Sequence, residues 1–276
     1  MTQLVQRAAS DWLSLRRPAD EAARSASLDA ITLLNHHLLE RLRPDAAIDV
    51  VDLGAGTGAN MAWLAGRLPA PQRWTLIDRD EDLLGLVPQV PASAHVADVR
   101  RLAVDLEDLR SHYDSERVPD LVTCSAFLDV LTLRQVRDLC AFVVQTGAAA
   151  LFSLSVNGTV RISPELEQDS VITATFNEHQ RRHGLAGPSA THVAADTLRS
   201  DGCTVHVVET PWTLRSEDAP LVERYVSERV AAVSEQDAGL ADAAHEWLSV
   251  RLAQLRAGTL TLEVGHLDLL ALPPSA

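Results

Sequence analysis

A chain of 276 residues, 46% of them hydrophobic, suits one large domain or one domain with an elaborated cap, and no apolar run is long enough to span a bilayer. A formal net charge of −14 repels phosphate backbones, which argues against a nucleic-acid partner. All 24 basic residues are arginine, which excludes a lysine base, and the three cysteines (Cys124, Cys140 and Cys203) fit neither a disulfide framework nor a CxxC metal site.

The N-terminal residues lack a basic head followed by an apolar stretch, so a cytoplasmic, reduced protein is expected. Residues 18–42 read as a helix: Pro18 suits a first turn, Asp20 and Glu21 favour its positive end, and Leu34, Leu38 and Leu42 form part of an apolar stripe. Residues 48–53 form a short apolar strand that runs into the glycine turn Asp52-Leu53-Gly54-Ala55-Gly56-Thr57-Gly58 and a new helix from Asn60. Strands are expected at 74–77, 94–97, 121–124 and 149–156, with helical segments at 81–86 and 133–145 between them. This alternation indicates a doubly wound α/β sheet.

The pattern changes after residue 156. Asn157-Gly158 signals a hairpin with a return strand at 159–162. Helices follow at 165–183 and 191–200, then a strand at 203–209, two helices within 218–257, and a last strand from 259 to 264 that extends toward 272. The organisation is an N-terminal helical lid (1–45), a main domain (46–272) with inserts at 157–190 and 212–257, and a tail (273–276).

Glycine belongs in the 52–58 turn because a side chain would block the approach of a ligand to the backbone and because tight turns need positive φ. Gly54, Gly56 and Ala59 also satisfy the dinucleotide spacing G-x-G-x-x-G/A, so a nicotinamide or flavin site is the rival reading. Asp52 argues against it: a buried anion before the first glycine suits an ammonium or a sulfonium and does nothing for a pyrophosphate.

The motif D-x-G-x-G-x-G and the order of strands and helices resemble the class I (Rossmann-like) SAM-dependent methyltransferases of the small-molecule type, SAM being S-adenosylmethionine. The resemblance implies a seven-stranded sheet of order 3-2-1-4-5-7-6 with strand 7 antiparallel, strand 6 falling at 203–209 and strand 7 at 259–264. It implies SAM contacts from Asp52, Gly54, Ala55, Gly56 and Gly58, ribose hydroxyls on Asp78, Arg79 over the adenine, Asp98 and the Val99 amide at the adenine edge, and the Ser125 carbonyl at the methionine amino group. Arg16 is the candidate partner for the SAM carboxylate, because arginine grips carboxylates through two N–H groups.

Methyl transfer is an in-line displacement in which the cofactor brings the reactivity and the protein aligns the acceptor. Asp129, His179 and His183 are the candidate bases for an acceptor that carries a proton. His179 and His183 stand at i, i+4, but no third ligand is evident and no metal is expected. No Asn/Asp-Pro-Pro-Tyr/Phe motif follows strand 4, unlike the nucleic-acid amino-methylases. The inserts and segment 12–20 are expected to close over the carboxyl ends of the strands, which suits a small-molecule acceptor. A SAM-binding regulatory protein without catalysis, and a protein or RNA methyltransferase, are the alternatives. A monomer or homodimer is expected, without membrane association.

Overall fold

A computed structural model describes residues 10–44, 46–88, 96–108 and 118–274. The start of the lid (1–9), residues 94–95 of the expected third strand and the end of the tail (275–276) lie outside the described residues.

The sheet runs β3 (Val96–Ala103), β2 (Gln72–Asp78), β1 (Ile48–Leu53), β4 (Leu121–Ser125), β5 (Ala149–Ser163), β8 (Thr261–Leu272) and β6 (Thr204–Glu209). β1 to β5 are mutually parallel, and β8 runs antiparallel to both β5 and β6. The expected order therefore holds, with β8 in the place of strand 7. The eighth strand is β7 (Trp212–Leu214), three residues that pair with the first half of β8 inside what reads in the sequence as a purely helical insert.

Alternating residues of each strand feed opposite faces. On one face Val51, Leu53, Val122, Cys124 and Phe152 pack under α5 (Leu133–Thr146) and α7 (Ala190–Ser200). On the other, Ile48, Val50, Trp74 and Leu76 pack under α2 (Leu28–Arg41) and α3 (Ala59–Leu64). A third apolar layer forms the cap: α1 (Ser10–Ala23), β7, α8 (Ala219–Gln236) and α9 (Ala241–Arg256) pack with the first half of β8 and with Leu154 and Ile162 of β5. Arg251 of α9 is fully buried there and pairs with Asp169 at the start of α6 (Asp169–His179).

Three expected elements differ in extent. The helix over 18–42 is two helices, α1 and α2, joined by a 3-10 turn, Arg24–Ser27. Pro18 stands inside α1, and the break comes where Arg24 turns inward and the Ser27 hydroxyl donates to buried Asp268 at 2.8 Å. The third strand is Val96–Ala103 rather than 94–97, and helix 165–183 is shorter, with His183 at φ +58°.

No hairpin forms at Asn157-Gly158. β5 is one strand of 15 residues, and its pairing with β8 shifts between Val156 and Val160. The extra residues form a bulge in which Asn157 Oδ1 accepts from the Thr159 amide at 2.9 Å. β8 is long enough to pair with both halves of β5, which removes any need for a return strand. Gly265 faces the bulge: a Cβ there would lie 2.2 Å from Asn157 Oδ1.

Candidate cofactor and acceptor site

β1 delivers Asp52 fully buried at its end, and the chain then turns through Gly54, Gly56 and Gly58 at φ of +62°, +51° and +77°. Each of these dihedrals lies where L side chains are strained. The space above Gly54 is filled by Phe127, whose Cδ2 would lie 2.4 Å from a Cβ there. Ala55 anchors the turn through its amide, which donates to the Ile77 carbonyl at 3.0 Å.

Asp52 accepts from Asn60 Nδ2 at 2.7 Å through Oδ1, and its Oδ2 is buried without a partner. Burial pushes this carboxyl up to about 7, against the opposing pull of the Asn60 hydrogen bond and the Arg24 charge. Asn60 also donates to Thr123 Oγ1 at 3.1 Å, and its carbonyl accepts from Arg24 at 2.6 Å. The Arg24 guanidinium is stacked on Trp63, 3.9 Å from the ring centroid. Asn60 went unnoticed in the sequence, although its position in the first turn after the glycines is where a side chain can reach back to β1.

Asp78 ends β2. Its Oδ2 accepts from the Gly56 amide at 2.8 Å and its Oδ1 from the Asp80 amide at 2.9 Å. The cap of the following helix, α4 (Glu81–Gly85), is Asp80, which accepts from Asp82 and Leu83. Asp78 is therefore tied to the glycine turn rather than to the helix. Arg79 is exposed beside it.

Asp98 and Val99 are placed differently from the sequence expectation. They sit inside β3 opposite Arg73 and Trp74, near the amino ends of the strands and away from the glycine turn. The physical reason is that β3 runs on to Ala103, opposite Asp78. The acid that follows the strand is Asp105, exposed, in Val104-Asp105-Leu106, and the Val104 amide donates to the Asp78 carbonyl at 3.1 Å. Asp105-Leu106 repeats the acid-then-apolar pattern of Asp98-Val99, so the signal was present in the sequence twice.

A second group gathers at the carboxyl ends of β4 and β5. Ser125 ends β4, half-buried, in register with Ser153 of β5. Asp129 lies in the 3-10 turn Leu128–Val130, with Oδ1 buried and unpartnered. Burial pushes its carboxyl up to about 6, while the Arg16 charge pulls it down. Arg16 itself is held by Asp20, at 2.8 Å, and lies 5.2 Å from the Trp212 ring centroid.

His266 of β8, which the sequence reading did not select, is buried against the same ring. Its Nδ1 lies 3.0 Å from the Val264 carbonyl and must donate to it, which leaves Nε2 as an acceptor. Burial, with the nearby Arg16 charge, holds this imidazole down to about 3, so it is neutral. Between these groups, Leu154 and Ala126 have φ of +55° and +51°. The hydroxyls of Ser153 and Ser155 are buried without partners.

His179 is elsewhere. It ends α6 and meets Glu235 near the end of α8 at 3.1 Å, with Arg182 on the same carboxylate. The pair ties two cap helices together, so His179 is not gathered with Asp129. Among the described residues no cluster of three or more His, Cys, Asp or Glu could hold a metal.

Strands that run outward from β1 through β2 to β3 on one side and through β4 to β5 on the other, with an antiparallel β8 inserted before β6, decide the architecture. This is the strand order that the resemblance to class I methyltransferases implies. No protein-family model matches the chain, and no curated protein matches it. Solved structures resemble it. The cyclopropane synthase MmaA2 from Mycobacterium tuberculosis is 15% identical, with a TM-score of 0.47 over 94% of each chain. The plantazolicin methyltransferase BpumL, solved in complex with SAH, is 10% identical, with a TM-score of 0.48 over 96% of this chain and 91% of that one. The apo form of mycolic acid cyclopropane synthase CmaA1 is 12% identical, with a TM-score of 0.48 over 96% and 99%.

Proposed function

We propose that this chain binds SAM at the 52–58 turn and transfers its methyl group to a small-molecule acceptor. The observation that carries the reading is the pairing of a left-handed glycine turn with a buried Asp52 whose Oδ2 has no protein partner. A pyrophosphate would be repelled there, whereas an ammonium or sulfonium is attracted. The acceptors suit SAM: the Asp78 carboxylate, beside the turn, would take the ribose hydroxyls with its remaining lone pairs, Asp105 follows the next strand, and the Ser125 carbonyl lies at the end of β4.

SAM, when bound, supplies an electrophilic methyl on a sulfonium. The residues of this chain would then hold the acceptor in line and exclude water. Leu13 of α1 reaches within 3.4 Å of the Cβ position of Gly56, so the N-terminal helix covers the turn. Trp12 packs edge-on against Trp212 beside it. Asp129, ionised above about pH 6, is the base for an acceptor that carries a proton. A site roofed in this way suits a small molecule better than a polymer.

Calorimetry with SAM, SAH and NADH tests the reading. SAM and SAH should bind at micromolar concentrations and NADH should not; NADH binding with no response to millimolar SAM overturns it. Asp78→Ala should weaken SAM by about tenfold or more, because the turn and the ribose contact are lost together. Incubation with labelled SAM and a metabolite extract separates an enzyme from a regulatory SAM-binding protein.

A further inference from the structure

Among the described residues three arginines are buried: Arg24, Arg229 and Arg251. Two of them have evident compensation. Arg251 meets Asp169, the Pro164 carbonyl at 2.6 Å and Gln254 at 2.8 Å. Arg24 meets Asn60 and lies in the fields of Asp268 and Asp52.

Arg229 of α8 does not. It is 3% exposed, yet among the described residues no carboxylate pairs with it, and its Nε and Nη1 are buried without a partner. Its one hydrogen bond is donated to the Tyr225 hydroxyl. The rest of its environment is aromatic: the guanidinium lies 4.0 Å from the Phe176 ring centroid and 4.8 Å from that of Tyr225. Cation–π contacts recover only part of the cost of desolvating a charge, and a buried cation without an anion is strongly unfavourable. A methionine would fill the same space without that cost.

The place of this cation in the fold points to the cap. Phe176 and Tyr225 belong to the apolar layer that also holds Trp12, Ala126 and Val160, all half-buried. Ala126 directly follows Ser125 at the end of β4, and Trp12 belongs to the helix that covers the glycine turn. The guanidinium thus stands inside the cap layer between α6 and α8, with Nε and Nη1 unsatisfied and ring faces around it.

We propose that Arg229 is the anion-recognition residue of the acceptor pocket, and that the acceptor carries a carboxylate beside a planar or apolar body. This rests on the methyltransferase reading for what the pocket is used for. The binding claim stands on Arg229 alone. With an overall charge of −14, the protein would repel such an acid at long range, so a local, desolvated arginine is the kind of group needed to hold one.

The test uses the full chain, benzoate as probe and benzamide as its uncharged counterpart, read by calorimetry and thermal melting without SAM. Benzoate should bind the wild type saturably and raise its melting temperature, and benzamide should do neither. Arg229→Met should lose the benzoate response and melt no lower than the wild type, because an uncompensated charge has been removed. Arg229→Lys, which keeps the charge but not the planar donors, should bind benzoate about fivefold more weakly or worse. Failure of benzoate to bind the wild type, or equal binding by all three proteins, overturns the proposal. A separate SAM titration on the same proteins shows whether the methyltransferase reading stands, independently of the benzoate result.

Discussion

Asn60 donates to one oxygen of Asp52 at 2.7 Å, while the other oxygen of that carboxylate is buried beneath the glycine turn with no protein donor. The two residues lie on either side of the turn and hold an acid that burial has raised to about 7.

This sets a pH dependence. A carboxyl whose folded value lies above its unfolded value binds more protons in the native state between the two. Asp52 therefore favours folding at low pH, and its contribution declines as pH rises from about 4 to about 7, then stays flat. Affinity for a cation moves the other way, rising as the site ionises. SAM should bind more tightly at pH 8 than at pH 6, and Asp52→Asn should flatten both the affinity profile and the stability profile in urea titrations.

Gly54→Ala tests the turn itself. The new Cβ meets Phe127 at 2.4 Å, at a φ of +62°. A loss of at least about 2 kcal/mol in denaturant unfolding is expected from strain and overpacking together. Adding Phe127→Ala should restore only the steric part.

Asp98 and Asp105 offer a paired test of register. Asp98 lies opposite Arg73 at the far ends of the strands, so Asp98→Ala should leave SAM affinity within about twofold. Asp105→Ala should weaken it by about fivefold or more, if it accepts from the adenine amino group. Calorimetry of the two variants side by side reads the difference.

Two of the candidate bases, Asp129 and His179, separate in the same way. Asp129→Asn should abolish the acid limb near pH 6 in methyl transfer from labelled SAM to a metabolite extract. His179→Ala should leave transfer unchanged and lower stability by about 1 kcal/mol or less, since its bond to exposed Glu235 is a surface tie. Loss of transfer in His179→Ala would return that residue to the site.

The parts legible in the sequence were those with period and punctuation. β1, β4 and the first half of β5 are largely apolar because both faces of the sheet are covered, and the glycine turn is marked by its spacing. β3 was displaced because it is an edge strand, and Asp98, Arg100 and Arg101 hide its alternation. β7 has only three residues, too few to show a pattern. Asn157-Gly158 carries a hairpin signal, and only the length of β8, far along the chain, makes it a bulge. Asn60, His266 and Arg229 were illegible for a common reason: what marks each is the set of partners it has or lacks, and those come from distant segments.

The bulged β5 also decides how the molecule can open. β5 and β8 run unbroken from the sheet into the cap, paired from Ala150 with Ala271 to Ser163 with Thr261. They act as two girders through both layers, so the roof has no hinge against the floor. α1 is hung differently, on side chains: Asp20 on the Trp212 indole at 3.0 Å, and Asp11 on Arg224 at 2.8 Å. Leu13 thus covers the glycine turn from a helix that side chains tie to the cap.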